Sequence, residues 1–211
     1  MIEGFAKEMK LGTKESHSMA ESTSFVKKFL GGVVEEENYR TLVANFYFVY
    51  RALEEQIDRN SDDPIIAPLA KMTELKRVPA LEKDLAYFYG GSWFLDVDPS
   101  DACKTYIDRI LHCNMEELVG HHYTRYLGDL SGGQILKTIA EKALNLPKNE
   151  GLHFYDFPKI DDKKEFNDTC AADNPHARLV ARLLPAPTAR ICYSHTAHYY
   201  LAHPHRGSQL R

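Results

Sequence analysis

No stretch of the chain approaches the roughly 18–20 apolar residues that a membrane helix requires, which argues against a membrane anchor. The start, MIEGFAKEMK, has neither the basic segment nor the apolar core of a secretory signal. The expectation is a soluble, intracellular protein. Cysteine is sparse: Cys103, Cys113, Cys170 and Cys192 form no CxxC pair and no regular framework, so free thiols are expected. There is no Walker A loop, GxGxxG, GxSxG or HExxH, which removes the common nucleotide, hydrolase and zinc-protease signatures. Nor is there a basic excess. A net charge of −4 supplies no general attraction for nucleic acid.

The mean charge hides an asymmetry. From Ala171 to Arg211 there are five Arg, no Lys, one Asp and no Glu, so this segment carries +4 and the remainder −8. It also holds five of the ten His and four of the ten Pro, a bias absent upstream. The chain is therefore divided into a domain over 1–170 and a divergent Arg/His/Pro-rich segment over 171–211, expected to be irregular. Cys192, His195 and His198 lie there in a loose metal-like spacing, but without a second cysteine pair they make a poor zinc site.

What is present is helical periodicity. Long alternation of period two and Asn-Gly or Asp-Gly turns are missing, so an all-α single domain is expected. Ser22 or Ser24 is expected to cap a short helix carrying Phe25, Phe29 and Leu30, stopped by Gly31-Gly32. Tyr39, Leu42, Val43, Phe46, Val49, Tyr50, Leu53 and Ile57 recur at three- and four-residue steps, predicting a long helix from Glu35 to Asn60. Pro79 starts a helix closed by Gly90-Gly91, and Pro99 opens another to about His112. A second long pattern runs from Glu116 to Leu146, with Ser131-Gly132-Gly133 in its middle expected to kink it.

Two glycines inside a helix cost roughly 1–2 kcal/mol relative to alanine, so something must approach the backbone closely there. A flat ligand would do so, and so would a second helix; spacing alone leans to the helix crossing. Asp129 follows Arg125 by one turn, which as an exposed ion pair is worth only ~0.3–0.5 kcal/mol. In a pocket the same carboxylate could hold water and relay protons. Spacing alone favours the surface pair. A lone histidine such as His17 is usually a surface residue. As a neutral imidazole it could also ligate heme iron, with Glu21 as its hydrogen-bonding partner and Lys10 and Lys14 placed for the propionates. His121 and His122 are adjacent, so they point to different faces and do not form one metal site.

The string Tyr123-Thr124-Arg125-Tyr126-Leu127-Gly128-Asp129-Leu130-Ser131-Gly132-Gly133-Gln134 resembles the signature of the biliverdin-producing heme oxygenases. The likeness extends over roughly 8–168, through Phe48-Val49-Tyr50-Arg51-Ala52-Leu53-Glu54-Glu55 and Ala80-Leu81-Glu82-Lys83-Asp84-Leu85. Its wording, including Ser16-His17-Ser18-Met19-Ala20-Glu21, is similar to soluble cyanobacterial and plastid members. The resemblance implies a multi-helix bundle binding heme b, both cofactor and substrate, between a proximal helix with His17 as axial iron ligand and the glycine-kinked distal helix. It implies ring opening by O2 and electrons to biliverdin, CO and Fe²⁺. It assigns Asp129, Tyr50 and Arg125 to a distal proton-delivering network, and Gly128 and Gly132 to space for O2. Lys10, Lys14, Glu21, Tyr123, Thr124, Ser131 and Gly133 fall at cofactor-binding positions. It further implies a monomer, fed by ferredoxin or a flavoprotein reductase, with a biliverdin reductase downstream, in the cytoplasm or, for an alga, the plastid stroma.

One departure stands out. Family members follow the equivalent of Phe166 with a pattern like F-K-x-x-Y-R, whose Lys and Arg meet the propionates. Here the run is Phe166-Asn167-Asp168-Thr169-Cys170-Ala171, and both cations are missing. The expected consequences are weaker heme binding and relaxed regiospecificity. The alternative reading is a heme-sequestering protein with impaired turnover.

Overall fold

The computed structural model describes Lys14, residues 18–148 and residues 150–161. The segment 171–211, with Cys192, His195 and His198, lies outside the described residues, as do Lys10 and His17. Among the described residues there is no strand, and the architecture is all-α as expected.

The helix α1 (Ser24–Leu30) is capped by Thr23 rather than Ser22 or Ser24. Thr23 has extended dihedrals and its Oγ1 accepts from Val26 N at 3.2 Å. Ser22 still belongs to the preceding helical turn, its hydroxyl donating to Met19 O at 2.7 Å, so the extended residue that a cap requires is Thr23. Gly32 (φ +79°) then ends α1: its N–H meets Phe29 O and the Val33 N–H meets Lys28 O, both at 2.9 Å. That paired closure needs a left-handed residue, which glycine adopts without a Cβ penalty.

The centre is α2 (Glu36–Arg59), whose Tyr39, Val49, Tyr50 and Leu53 are fully buried. It touches a short α3 (Ala67–Ala70), α4 (Val78–Tyr89), α5 (Asp101–His112) and α6 (Met115–Leu144), while α1 packs on α6. A helix with neighbours on several sides buries side chains around most of its circumference. Each fully buried leucine of this core, such as Leu53, Leu81 or Leu85, contributes roughly 1.5–3 kcal/mol. The four-residue α3 was not foreseen, being too short to show a period.

Ser100 caps α5, accepting from Cys103 N at 3.2 Å, so Pro99 precedes the cap. Asn114 and Glu117 form a reciprocal capping box at the start of α6. Asn145, left-handed at φ 49°, closes α6 just short of the expected Leu146. α6 stays helical through Ser131-Gly132-Gly133, so the glycines do not interrupt the element.

Buried polar groups tie the helices together. Glu54 on α2 accepts from Arg77 N at 2.6 Å and Val78 N at 3.2 Å, satisfying the open N–H groups that begin α4, and also from Tyr126 of α6 at 3.2 Å. Asn45 accepts from Ser100 N at 3.0 Å, fixing the start of α5 to α2. None of the described helices is long and apolar enough to cross a membrane.

Candidate active site

A cavity of about 440 Å³ lies between residues 20–30 and the middle of α6, within the ordinary size range of small-molecule sites. Phe25, Phe29, Leu42, Phe46, Ile135 and Leu136 make most of its surface apolar. The turn His153–Tyr155 supplies a wall, with Phe154 and Tyr155 facing the cavity.

The polar end belongs to α6 and α2. Tyr50 donates its phenolic hydrogen to Asp129 Oδ2. Arg125 Nε donates to Tyr50 Oη at 3.2 Å, and Arg125 Nη2 lies 3.9 Å from Asp129 Oδ1. The Arg125 guanidinium also rests over the Phe46 and Tyr50 rings, 4.9 and 5.1 Å from their centroids. Side-chain exposures of 4% for Arg125 and 11% for Asp129 correct the expectation of a surface pair. The i,i+4 spacing was right, but spacing does not report which face of a helix is covered.

Burial pushes the Asp129 carboxyl up to about 6, although Arg125, the Tyr50 hydrogen bond and Arg77 all pull it down. Desolvation penalises the charged form more than these partners reward it. A carboxyl poised there can hold or release a proton near neutrality. Tyr50, fully buried, is raised well above the ordinary phenol range, chiefly by desolvation, and so remains a donor.

The glycines separate into two kinds. A Cβ built on Gly128 or Gly132 meets nothing within 4 Å, and both residues border the cavity. The leaning toward a helix crossing is therefore corrected at these positions: bare backbone faces open space. Gly133 is different, since a Cβ there would sit 3.3 Å from Tyr155 Cδ1. It lines the cavity, but its missing side chain lets the wall pack against α6.

Thr124 and Glu21 also border the cavity, as does Ala20. Lys14 is helical and exposed, Tyr123 is partly buried against the core, and Ser131 is exposed with its Oγ donating to Gly128 O at 3.5 Å. None of these three borders the cavity. His121 meets Tyr106 Oη at 3.2 Å, while the His122 ring packs 4.2 Å from that of Tyr126. No metal-holding cluster exists among the described residues. The wall formed by Phe154 and Tyr155, and the buried ties of Glu54 and Arg77, went unread in the sequence. A single turn in irregular chain has no periodicity, and only the glycine before it hinted at special backbone.

An α-helical bundle with a buried carboxyl–phenol–guanidinium group at one end of an apolar cavity, beside two side-chain-free positions, defines a helical protein with a small-molecule pocket and a titratable group at its end. The family model described as heme oxygenase matches residues 3–173, and the chain belongs to that family. It is 54% identical over 171 residues to heme oxygenase of the red alga Pyropia yezoensis, covering 80% of this chain and 71% of that one. It is 49% identical to heme oxygenase 1 of Synechocystis over 172 residues, again covering 80% and 71%. The crystal structure of Synechocystis heme oxygenase-1 in complex with heme superposes with a TM-score of 0.80 at 43% identity, covering 93% of this chain and 90% of that one.

Proposed function

We propose that this chain opens the heme ring oxidatively, using O2 and electrons to give biliverdin, CO and Fe²⁺. The observation that carries this reading is the buried Tyr50–Asp129–Arg125 group beside Gly128 and Gly132. The residues present fit such a ligand: the apolar lining would suit a macrocycle, and the missing Cβ atoms of Gly128 and Gly132 would leave it space.

Bound heme supplies the iron at which O2 is reduced and the ring edge that is oxidised. His17 would hold the heme iron through its imidazole, with Glu21 as its hydrogen-bonding partner. Asp129 holds the proton required during oxygen reduction, directly or through water. Tyr50 fixes the carboxyl's orientation, and Arg125 limits how far burial raises its proton affinity. Gly128 and Gly132 keep side chains out of this end of the cavity. By the resemblance Lys10, Lys14 and Tyr123 are assigned to the propionates, and Thr124, Ser131 and Gly133 to the rest of the heme site; of these, Thr124 and Gly133 border the cavity.

Ferredoxin is proposed as the electron donor and a biliverdin reductase as the consumer of the product; a plastid stromal or cytoplasmic location is in keeping with red algal and cyanobacterial relatives. A flavoprotein reductase is the alternative donor. The chain is proposed to act as a monomer. The test is an optical titration with hemin, followed by ferredoxin, its reductase and NADPH in air. The expected result is a Soret band that gives way to biliverdin. A second reading, heme sequestration without turnover, is favoured by the missing cations at Asn167 and Ala171; a Soret band that persists under reductant and O2 would select it. His17→Ala with unaltered ferric spectrum and hemin affinity would remove the axial assignment.

A further inference from the structure

We propose that Asp84 is a positioning residue for the Tyr50–Asp129 pair, acting from α4 through the turn His153–Tyr155. This rests on the reading of Asp129 as the proton-holding group of the site. Asp84 is fully buried and does not itself line the cavity. Its Oδ1 accepts the His153 N–H at 2.8 Å and lies 2.7 Å from His153 Nδ1, while its Oδ2 accepts the Phe154 N–H at 2.8 Å. One carboxylate thus holds two successive amides of a turn that has no regular neighbour to pair with.

The carbonyls of the same turn are held from elsewhere. Arg77 Nη1 donates to Phe154 O at 3.2 Å and to Asp156 O, and Gln134 Nε2 donates to Tyr155 O at 3.0 Å. Lys137 Nζ reaches Asp156 Oδ1 at 2.5 Å. The turn is clamped on its N–H side by Asp84 and on its C=O side by Arg77 and α6.

What the clamp aims is the Phe154 ring. It lies 5.0 Å from the Phe46 ring and 5.3 Å from the Tyr50 ring, meeting Tyr50 edge-on at 68°. Tyr126 closes on Tyr50 from another direction at 5.3 Å and 85°. The phenol ring is packed between these rings, with its hydroxyl donating to Asp129 and accepting from Arg125 Nε. Releasing the turn releases Phe154, which loosens Tyr50 and alters the hydrogen bond that lowers the Asp129 pKa. A merely structural carboxylate would lower stability and leave the site's titration alone.

The experiment uses ¹³C carboxyl and aromatic NMR of the full heme-free chain, where Asp129 can be titrated against the groups that act on it, Arg125, Tyr50 and Arg77. Asp84→Asn is expected to move the Asp129 midpoint by about half a pH unit or more and to shift the Tyr50 ring signals. Phe154→Leu, with the Asp84 clamp intact, is expected to move the same signals. Asp84→Glu should restore part of the shift. If Asp84→Asn fails to fold, Phe154→Leu decides. Folded variants with a lowered Tm but parental Asp129 and Tyr50 signals would overturn the proposal. Hemin titration of the same parent sample separates the two readings, since a chain that refuses hemin loses the functional assignment while the NMR coupling stands.

Discussion

Tyr50 on α2 donates its hydroxyl to Asp129 on α6, and both residues are buried. This bond joins residues far apart in sequence across the polar end of the cavity, and it defines what Asp129 can do. Without Tyr50, one of the three influences that hold the carboxyl's proton affinity down disappears.

The first prediction concerns this pair. Asp129→Asn keeps the shape and the acceptor for Tyr50 but cannot release a proton. Biliverdin formation should fall by about 10²-fold or more, the usual contribution of a positioned acid, with hemin affinity nearly unchanged. Tyr50→Phe should move the Asp129 titration further above about 6, because the lost hydrogen bond lowers it. The pH profile of turnover reads both; an unmoved profile in Tyr50→Phe would contradict the coupling.

Stability should depend on pH through the same carboxyl. Folded Asp129 titrates at about 6, against 3.8 for an ordinary Asp. Between those values the native state binds more protons than the unfolded state. The stabilisation from protonated Asp129 is therefore fully present below about pH 4 and is lost as pH rises to 6. The loss is about 3 kcal/mol for a shift of this size. Asp129→Asn removes it, so the variant should gain on the parent by that order between pH 4 and 7. Glu54 and Asp84, also raised by burial, act equally in both proteins and cancel in the difference. Urea unfolding at the two pH values measures it.

The glycines should respond in opposite ways. Gly132→Ala places its methyl in open space and replaces a poor helix former, so stability should rise by up to about 1 kcal/mol while hemin binding and turnover fall. Gly133→Ala pushes against Tyr155 at 3.3 Å, so the alanine gain should be offset or reversed and Tm should not rise. Thermal unfolding and hemin titration of the two variants side by side check this. Equal hemin affinity in Gly132→Ala and parent would remove the space-keeping role.

The missing propionate cations give a gain-of-function prediction. Restoring them with Asn167→Lys and Ala171→Arg should tighten hemin binding, each exposed contact contributing up to about 1 kcal/mol, or roughly fivefold. The product should also narrow toward one bilin isomer. Chromatography of the bilins from the parent showing a single isomer at an unimpaired rate would count against a defect at these positions.

Helix positions were legible because apolar residues recur at three and four steps and because Gly32, Gly90 and Pro79 punctuate them. Thr23 displaced Ser22 as the cap because the backbone turns extended at Thr23, while both hydroxyls donate to the carbonyl three residues back. The site was legible only as a string. Its letters named Asp129, Arg125 and the glycines, yet spacing alone put the pair on the surface and the glycines in a helix crossing.

The sequence by itself therefore determined the class of fold, the bounds of the long helices to within a residue or two, and the family. Local propensity and periodicity are properties of neighbouring residues, so these needed no coordinates. Only the tertiary structure decided that Asp129 is desolvated, that Tyr50 from another helix reaches it, that Gly128 and Gly132 face empty space while Gly133 meets Tyr155, and that Asp84 grips the turn behind them. Each of these depends on which distant segments pack together, and burial and proton affinity are set by that packing rather than by the order of residues along one helix.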